Sequence, residues 1–406
     1  MVACKFRSRM SLQIWILLLA VACVMAGNGL IVPILPHYGE SFSSSSLLVG
    51  MLITIFGVTR LAANYPTGLS YNRFGPTALM VIGNAVLMVG AIGAALATSL
   101  EILLFCRAVQ GLGSGIFLTA MGVVVAQQSR PGTRGRLLAL YQAAVFVGAG
   151  LGPVAGGIIA EAFGMTAPFW FYAAVSAFAM AVSATVKGGG PAGPVHPASP
   201  RAHLKAVGTN PLLRANLLVS FASGFVRTAA LWQLIPILAA TRFGMGFDRI
   251  GLAVTVTSLA NVAILPASGF LVDRFGWRYL PPLASLGFAC SLLLIAFGYD
   301  ETAFWTGVSL AGVFGGLIGP ASSAALIELT EPSALPSATG LQRTAGDLGF
   351  VTGPVAVGLL ADSLDVSDSW GLALTAGLLL ASGAAWSLAL RRAGKGAPGE
   401  REDAGS

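Results

Sequence analysis

Long apolar runs alternate with short polar breaks along the whole chain. A membrane span needs roughly 20 apolar residues. Twelve segments have that length: 11–35, 47–68, 77–98, 102–127, 137–161, 168–186, 213–240, 250–272, 280–298, 303–327, 339–361 and 370–390. Each predicts a helix, because in lipid the backbone must satisfy its own hydrogen bonds. We number them spans 1 to 12. Residues 187–212, rich in Gly and Pro, interrupt the series and read as a polar linker. The expected organisation is a six-helix half at 1–186, the linker at 187–212, a second six-helix half at 213–391 and a tail at 392–406. Span 1 has a basic start and a signal-like ending at Cys23, but its apolar run continues to Pro36. That is too long for the core of a cleaved signal, so span 1 is read as retained.

Composition agrees. Hydrophobic residues make up 55% of the chain, charged residues 10%, and mean hydropathy is +0.81. Soluble domains carry about 25% charged residues, so a cytosolic enzyme, a disordered chain and a nucleic-acid binder are excluded. The basic residues lie between apolar runs rather than in one patch. Four cysteines, Cys4, Cys23, Cys106 and Cys290, match no metal or disulfide spacing. His37, His196 and His203 fall in loops without ligand spacing. The sequence holds no phosphate-cradling Gly-x4-Gly-Lys-Ser/Thr loop and no Ser/His/Asp arrangement within the spans. No metal, no cofactor and no enzymatic activity are expected, and an ion gradient is the remaining energy source. Placing the N-terminus in the cytoplasm puts 17 Lys and Arg on the cytoplasmic side and only Arg242 and Arg249 on the other. The positive-inside rule therefore predicts a multi-pass protein of the plasma (inner) membrane with both termini and the linker cytoplasmic.

The two halves repeat. A shift of 201 residues carries Gly68, Arg73, Phe74 and Gly75 onto Gly269, Arg274, Phe275 and Gly276. It also carries Gly148, Gly152, Pro153 and Gly157 onto Gly349, Gly353, Pro354 and Gly358. Near the front, VPIL at 32–35 meets IPIL at 235–238 with a shift of 203. Halves of this kind place a substrate site at their interface near mid-membrane.

These residues resemble the major facilitator superfamily over nearly the whole chain. GFLVDRFGWR (269–278) is similar to that family's loop motif Gly-x3-Asp-Arg-x-Gly-x-Arg. The first-half copy, GLSYNRFGPT (68–77), has Asn72 in place of the acid and lacks the final basic residue. Arg107-x2-Gln110-Gly111-x-Gly113 resembles the family's fourth-span motif. Gly148-x3-Gly152-Pro153-x2-Gly156-Gly157 resembles the fifth-span signature of its 12-span drug/proton antiporters, with Ala139 at the usual first glycine. The resemblance implies an all-α membrane protein of twelve transmembrane helices in two pseudo-symmetric six-helix halves. It also implies a role for Arg107 in proton transfer.

Five ionisable residues lie well inside spans: Arg60, Arg107, Arg227, Arg343 and Asp347. Each costs roughly 2.5–3.5 kcal/mol at a helix centre and should face the bundle interior. Asp347, the one acid, is the expected proton carrier, with Arg343 one turn earlier as its ion-pair partner. Burial favours its proton and a neighbouring cation opposes it; a fixed ion pair orienting span 11 is the alternative. Arg60, Asn64, Asn28, Arg227, Trp232 and Gln233 are candidate cavity residues, against packing roles. Asn72, Arg73, Asp273 and Arg274 are candidate gating residues, with Asp273 expected at the positive N-terminus of span 5 near Arg134 and Arg136. Gly148, Gly152, Pro153 and Gly157 are expected to seal span 5 across the interface between halves.

The function expected is proton-coupled export of small amphipathic compounds by alternating access. Four arginines against one acid point to anionic or neutral substrates. Proton-linked uptake of an organic anion or nutrient, and a non-transporting membrane sensor on the same scaffold, are the alternatives. The expected partners are a small-molecule substrate, protons and the bilayer; a monomer is expected, with no nucleic acid.

Overall fold

A computed structural model describes residues 12–32, 34–42, 46–186, 208–364 and 368–395. The linker at 187–207, His196, His203, Cys4 and the tail from 396 onward lie outside them. The described chain is helical. Among the described residues ten helices are long and apolar enough to cross a membrane. One of these continues through two predicted spans: Ser46–Ala95 carries spans 2 and 3 and breaks at Gly75, with φ 77° and ψ 165°. Span 11, Leu335–Leu364, has ample length but is less apolar, because it carries Gln342, Arg343 and Asp347. Splitting the first and adding the second gives twelve spans.

The repeat read from sequence is written in the backbone. Span 4, Leu100–Gln128, and span 10, Glu301–Leu329, start 201 residues apart and have equal lengths. So do span 5, Arg134–Phe163, and span 11. Gly276, 201 residues after Gly75, ends span 8 with φ 77° and ψ 175°. Both glycines hold a positive φ that a side chain would strain.

Two spans depart from expectation. Span 1 helix stops at Ile31, and a short helix, Leu35–Glu40, follows instead of one run to 35. Span 7 is not uniform: Pro211–Val226 is α-helical, Arg227–Leu234 is a π-helix, and Ile235–Phe243 is α-helical again. Pro236 has no N–H to give the carbonyl one turn earlier, which favours the wider register before it. Apolar periodicity cannot show this change of register.

Within the N-terminal half, span 1 packs on spans 5 and 6, and spans 2 and 3 pack on span 4. Within the C-terminal half, span 7 packs on spans 11 and 12, and span 10 on spans 8 and 9. The halves meet where span 2 touches span 11 and span 5 touches span 8. This corrects the expectation for the span 5 glycines. Gly148 and Gly152 lie against Ala22, Met25, Ala26 and Gly29 of span 1, in the same half, and Pro153 touches Gly29. Gly157 has nothing within 4 Å of a Cβ position. Small residues let two backbones approach closely in lipid, where no hydrophobic force drives helices together, and here that approach builds one half. The seam between halves is made elsewhere, by Gly135 against Gly269 and Gly68 against Pro336 and Ser337, all near the basic loops.

Gly148→Leu is therefore expected to force spans 1 and 5 apart and lower thermal stability by roughly 1–3 kcal/mol or more, the range for overpacking. Gly157→Leu should be tolerated. Melting curves of the two purified variants in detergent check this; equal melting points would contradict it.

Candidate substrate and coupling site

At mid-depth Asp347 bridges the two halves. Arg60 of span 2 grips it with two bonds, Nε to Oδ2 at 3.0 Å and Nη2 to Oδ1 at 2.5 Å. Asn64 Nδ2, one turn on, donates to Oδ2 at 2.7 Å, and its own Oδ1 accepts from Thr119 of span 4 at 3.1 Å. Both members of the ion pair are 15% exposed. The expected Arg343–Asp347 pair is corrected: Arg343 instead donates to the Tyr141 hydroxyl of span 5 at 3.1 Å. An arginine on the facing helix meets the carboxylate head-on in fork geometry, whereas one on the same helix reaches it only sideways. Each of the two residues thus bonds to the other half.

Arg107 is enclosed by its own half. It is 2% exposed, inside the N-terminal half. Its Nε donates to the Leu52 carbonyl at 3.2 Å and its Nη1 to Gln110 Oε1 at 2.6 Å. Its guanidinium lies 4.5 Å from the Phe56 ring centroid, a ring it shares with Arg60 at 5.7 Å. These contacts link spans 2 and 4.

Arg227 opens the π-helix of span 7, and π segments recur at functional sites. Its guanidinium lies 4.6 Å from the centroid of Phe146, a span 5 residue of the other half. Trp232 stands edge-on to Phe350 at 5.6 Å, and Phe350 lies beneath Arg60 at 5.3 Å. Trp232 itself is 58% exposed. The side-chain oxygens of Gln233 and Asn28 are buried without a hydrogen-bond partner. Gly27, beside Asn28, leaves room for the Tyr172 ring.

On the basic-loop face, Asp273 sits at the N-terminus of span 5. Its Oδ1 accepts from the Gly135 backbone N–H at 2.7 Å, and Oδ2 lies 3.2 Å from Arg136 Nε. Arg134 reaches Glu328 of span 10 at 2.8 Å, and Trp277 Nε1 donates to the same carboxylate at 2.6 Å. The pseudo-symmetric contact is uncharged: Asn72 Nδ2 donates to the Ser333 carbonyl at 3.0 Å. Arg73 and Arg274 are exposed and lie over their own neighbours Phe74 and Phe275; among the described residues neither makes a hydrogen bond or ion pair to the other half.

Several residues of this network were missed in the sequence. Tyr141, Phe146, Thr119 and Phe350 carry no charge and look like ordinary span residues. So does a polar cluster near the basic-loop face, where Gln342 donates to Ser322 at 2.9 Å and Ser322 to Asn216 at 2.5 Å. The repeat held a signal that went unused: the 201-residue partner of Asp347 is Phe146.

The family model of the Major Facilitator Superfamily matches residues 17–306 and 216–406. An uncharacterised MFS-type transporter of Methanocaldococcus jannaschii is 20% identical over 88% of this chain and 93% of its own. Multidrug resistance protein 2 of Bacillus subtilis is 28% identical over 41% of this chain and 42% of its own. The crystal structure of the human organic anion transporter MFSD10 superposes with a TM-score of 0.79 at 18% identity, covering 93% of this chain and 100% of that one.

Proposed function

The chain belongs to the Major Facilitator Superfamily and is a multi-pass membrane transporter; on that premise we propose that it exports small amphipathic compounds, anionic or neutral, in exchange for protons by alternating access. The observation that carries the reading is the Arg60–Asp347 bridge. The one acid among the five mid-span ionisable residues forms an ion pair between the halves. A carboxylate holds a guanidinium fork only while ionised. Taking up a proton at Asp347 would release Arg60 and loosen the bridge, so proton binding and rocking of the halves are one event. The basic-loop face, proposed as cytoplasmic, is held closed by Asp273, Glu328 and Asn72. Both termini and the 187–212 linker are then cytoplasmic, the linker joins two six-helix units, and the membrane is the plasma membrane. The drug-resistance name of the Bacillus relative supports export. Uptake of an organic anion is the second reading; the Arg227 guanidinium, which among the described residues faces an aromatic ring, suits an anion in either direction.

Flux in sealed proteoliposomes with an imposed pH gradient tests this. Substrate movement against its own gradient, opposite in direction to proton flow, is expected. Movement with the protons would establish uptake instead. Equal flux with and without the pH gradient would remove proton coupling.

A further inference from the structure

The 201-residue repeat places the span 2–span 11 contact and the span 5–span 8 contact in corresponding positions of the two halves. In the first, Asp347 neutralises Arg60. In the second, the residue at the position of Asp347 is Phe146, and the residue at the position of Arg60 is Asn261. The guanidinium that meets Phe146 is Arg227. Arg227 therefore lies on the residue that the repeat pairs with Asp347, a benzene ring where the other copy has a carboxylate. It lies within electrostatic reach of both Arg60 and Asp347. Asp347 makes no ion pair with it; its oxygens bond to Arg60 and Asn64. Among the described residues Arg227 has an aromatic face and neither a hydrogen bond nor an ion pair. Arg227 is half-buried; a partly desolvated guanidinium without a counter-ion is under-satisfied, and a ring face offsets only part of that.

Span 7 carries further aromatic and polar groups close to Arg227 along the chain. Phe221 and Phe225, on the α-helix just before Arg227, have tilted rings 6.0 Å apart. Trp232 and Phe350 lie on the other side of it along the chain and across to span 11. The Gln233 side-chain oxygen, buried and unpartnered, lies in the same π segment.

We propose that Arg227 is the charge-selecting residue of the substrate site, and that the substrate is an organic monoanion with an aromatic or apolar body. Its oxyanion takes the place at Arg227 that a carboxylate side chain takes at Arg60, and its body lies against the rings. A permanent cation finds no free acid at this depth. The inference rests on the transporter reading and narrows it to one substrate class.

The test is a charge series on one scaffold: 2-naphthoate, 2-naphthylmethanol and 2-naphthylmethylammonium, titrated calorimetrically into the full chain in lipid nanodiscs. The wild type should bind 2-naphthoate at least about tenfold tighter than the other two, the size of one charge-assisted hydrogen bond. Arg227→Gln should remove that advantage and leave the alcohol unchanged, and Arg227→Lys should keep most of it. Phe146→Asp gives Arg227 an internal carboxylate without removing it. It should abolish the anion preference in a protein that is still folded, which covers the case in which Arg227→Gln is unstable. An ammonium compound that binds as tightly as the naphthoate, no binding of the naphthoate, or a naphthoate advantage that survives Phe146→Asp would overturn the proposal. Flux of the same compounds in proteoliposomes separates the two claims. The binding pattern without flux would sink the transporter reading and leave the site standing. Saturable flux of the cation with no anion preference would sink the site and leave the transporter standing.

Discussion

Asp347→Asn is expected to abolish accumulation against a gradient while leaving substrate exchange intact. The asparagine keeps the size of the side chain and one acceptor oxygen, so Arg60 and Asn64 retain a partner in part. It cannot lose or gain a proton. Exchange of substrate across the membrane needs no net proton movement and should continue. Removing one member of a buried ion pair costs about 3–5 kcal/mol. Here both side chains are 15% exposed and asparagine keeps a hydrogen bond, so a stability loss of roughly 1–3 kcal/mol is expected. Arg60→Gln should cost a similar amount. The double variant Arg60→Gln/Asp347→Asn should be more stable than the sum of the single changes predicts, because neither charge is left unpaired. Uphill transport should nevertheless stay absent in it. That separates a structural ion pair from a coupling group: a purely structural pair would recover transport together with stability. Arg343→Ala should disturb coupling less than Arg60→Gln, since Arg343 bonds to Tyr141 rather than to the carboxylate. Flux with and without a pH gradient, beside melting curves, decides among these. If Asp347→Asn pumps as the wild type does, Asp347 is not the carrier. Glu101 is then the next carboxylate to test, because Glu328 is engaged on the closed face.

The twelve spans and the repeat were legible because lipid imposes them: length, apolarity and glycine positions are direct consequences of crossing a bilayer. Position along the chain also told that Arg60, Asn64, Arg227 and Asp347 were worth singling out, since charge at mid-depth is costly. Partnership was not legible. The nearest cation to Asp347 along its helix is Arg343, yet the fork from span 2 wins, because helix spacing governs only contacts within one helix. The glycines of span 5 gave close approach but not its partner, and the partner proved to be span 1. The π-helix of span 7 and the cross-half role of Tyr141 and Phe146 left no mark in hydropathy, because neutral side chains enter these contacts without changing the apolar pattern.

The closed face makes the last prediction, and the repeat sharpens it. Asp273 accepts the Gly135 N–H and pairs with Arg136, so its charge complements the positive end of span 5. The residues 201 positions on from Arg134, Gly135 and Arg136 are Leu335, Pro336 and Ser337. Opposite Asn72, then, both arginines are gone and the N–H itself is missing, because proline has none. What remains is the Ser333 carbonyl, an acceptor, and Asn72 meets it with its amide as donor. The second latch has not merely lost a charge; its polarity is reversed. Asp273→Asn should open the basic-loop face, since it removes an interaction worth roughly 0.3–2 kcal/mol at a partly buried helix terminus. Asn72→Asp, which restores the family's acid, should open the same face rather than close it: its carboxylate would confront the Ser333 carbonyl with no N–H at Pro336 to receive it. Adding Pro336→Gly to Asn72→Asp supplies that N–H and should recover part of the closed population. Distances between one spin label on each half at this face report the balance directly. A single change, Asn72→Asp, that shortens or leaves unchanged the wild-type distance distribution would rule out the reversed latch.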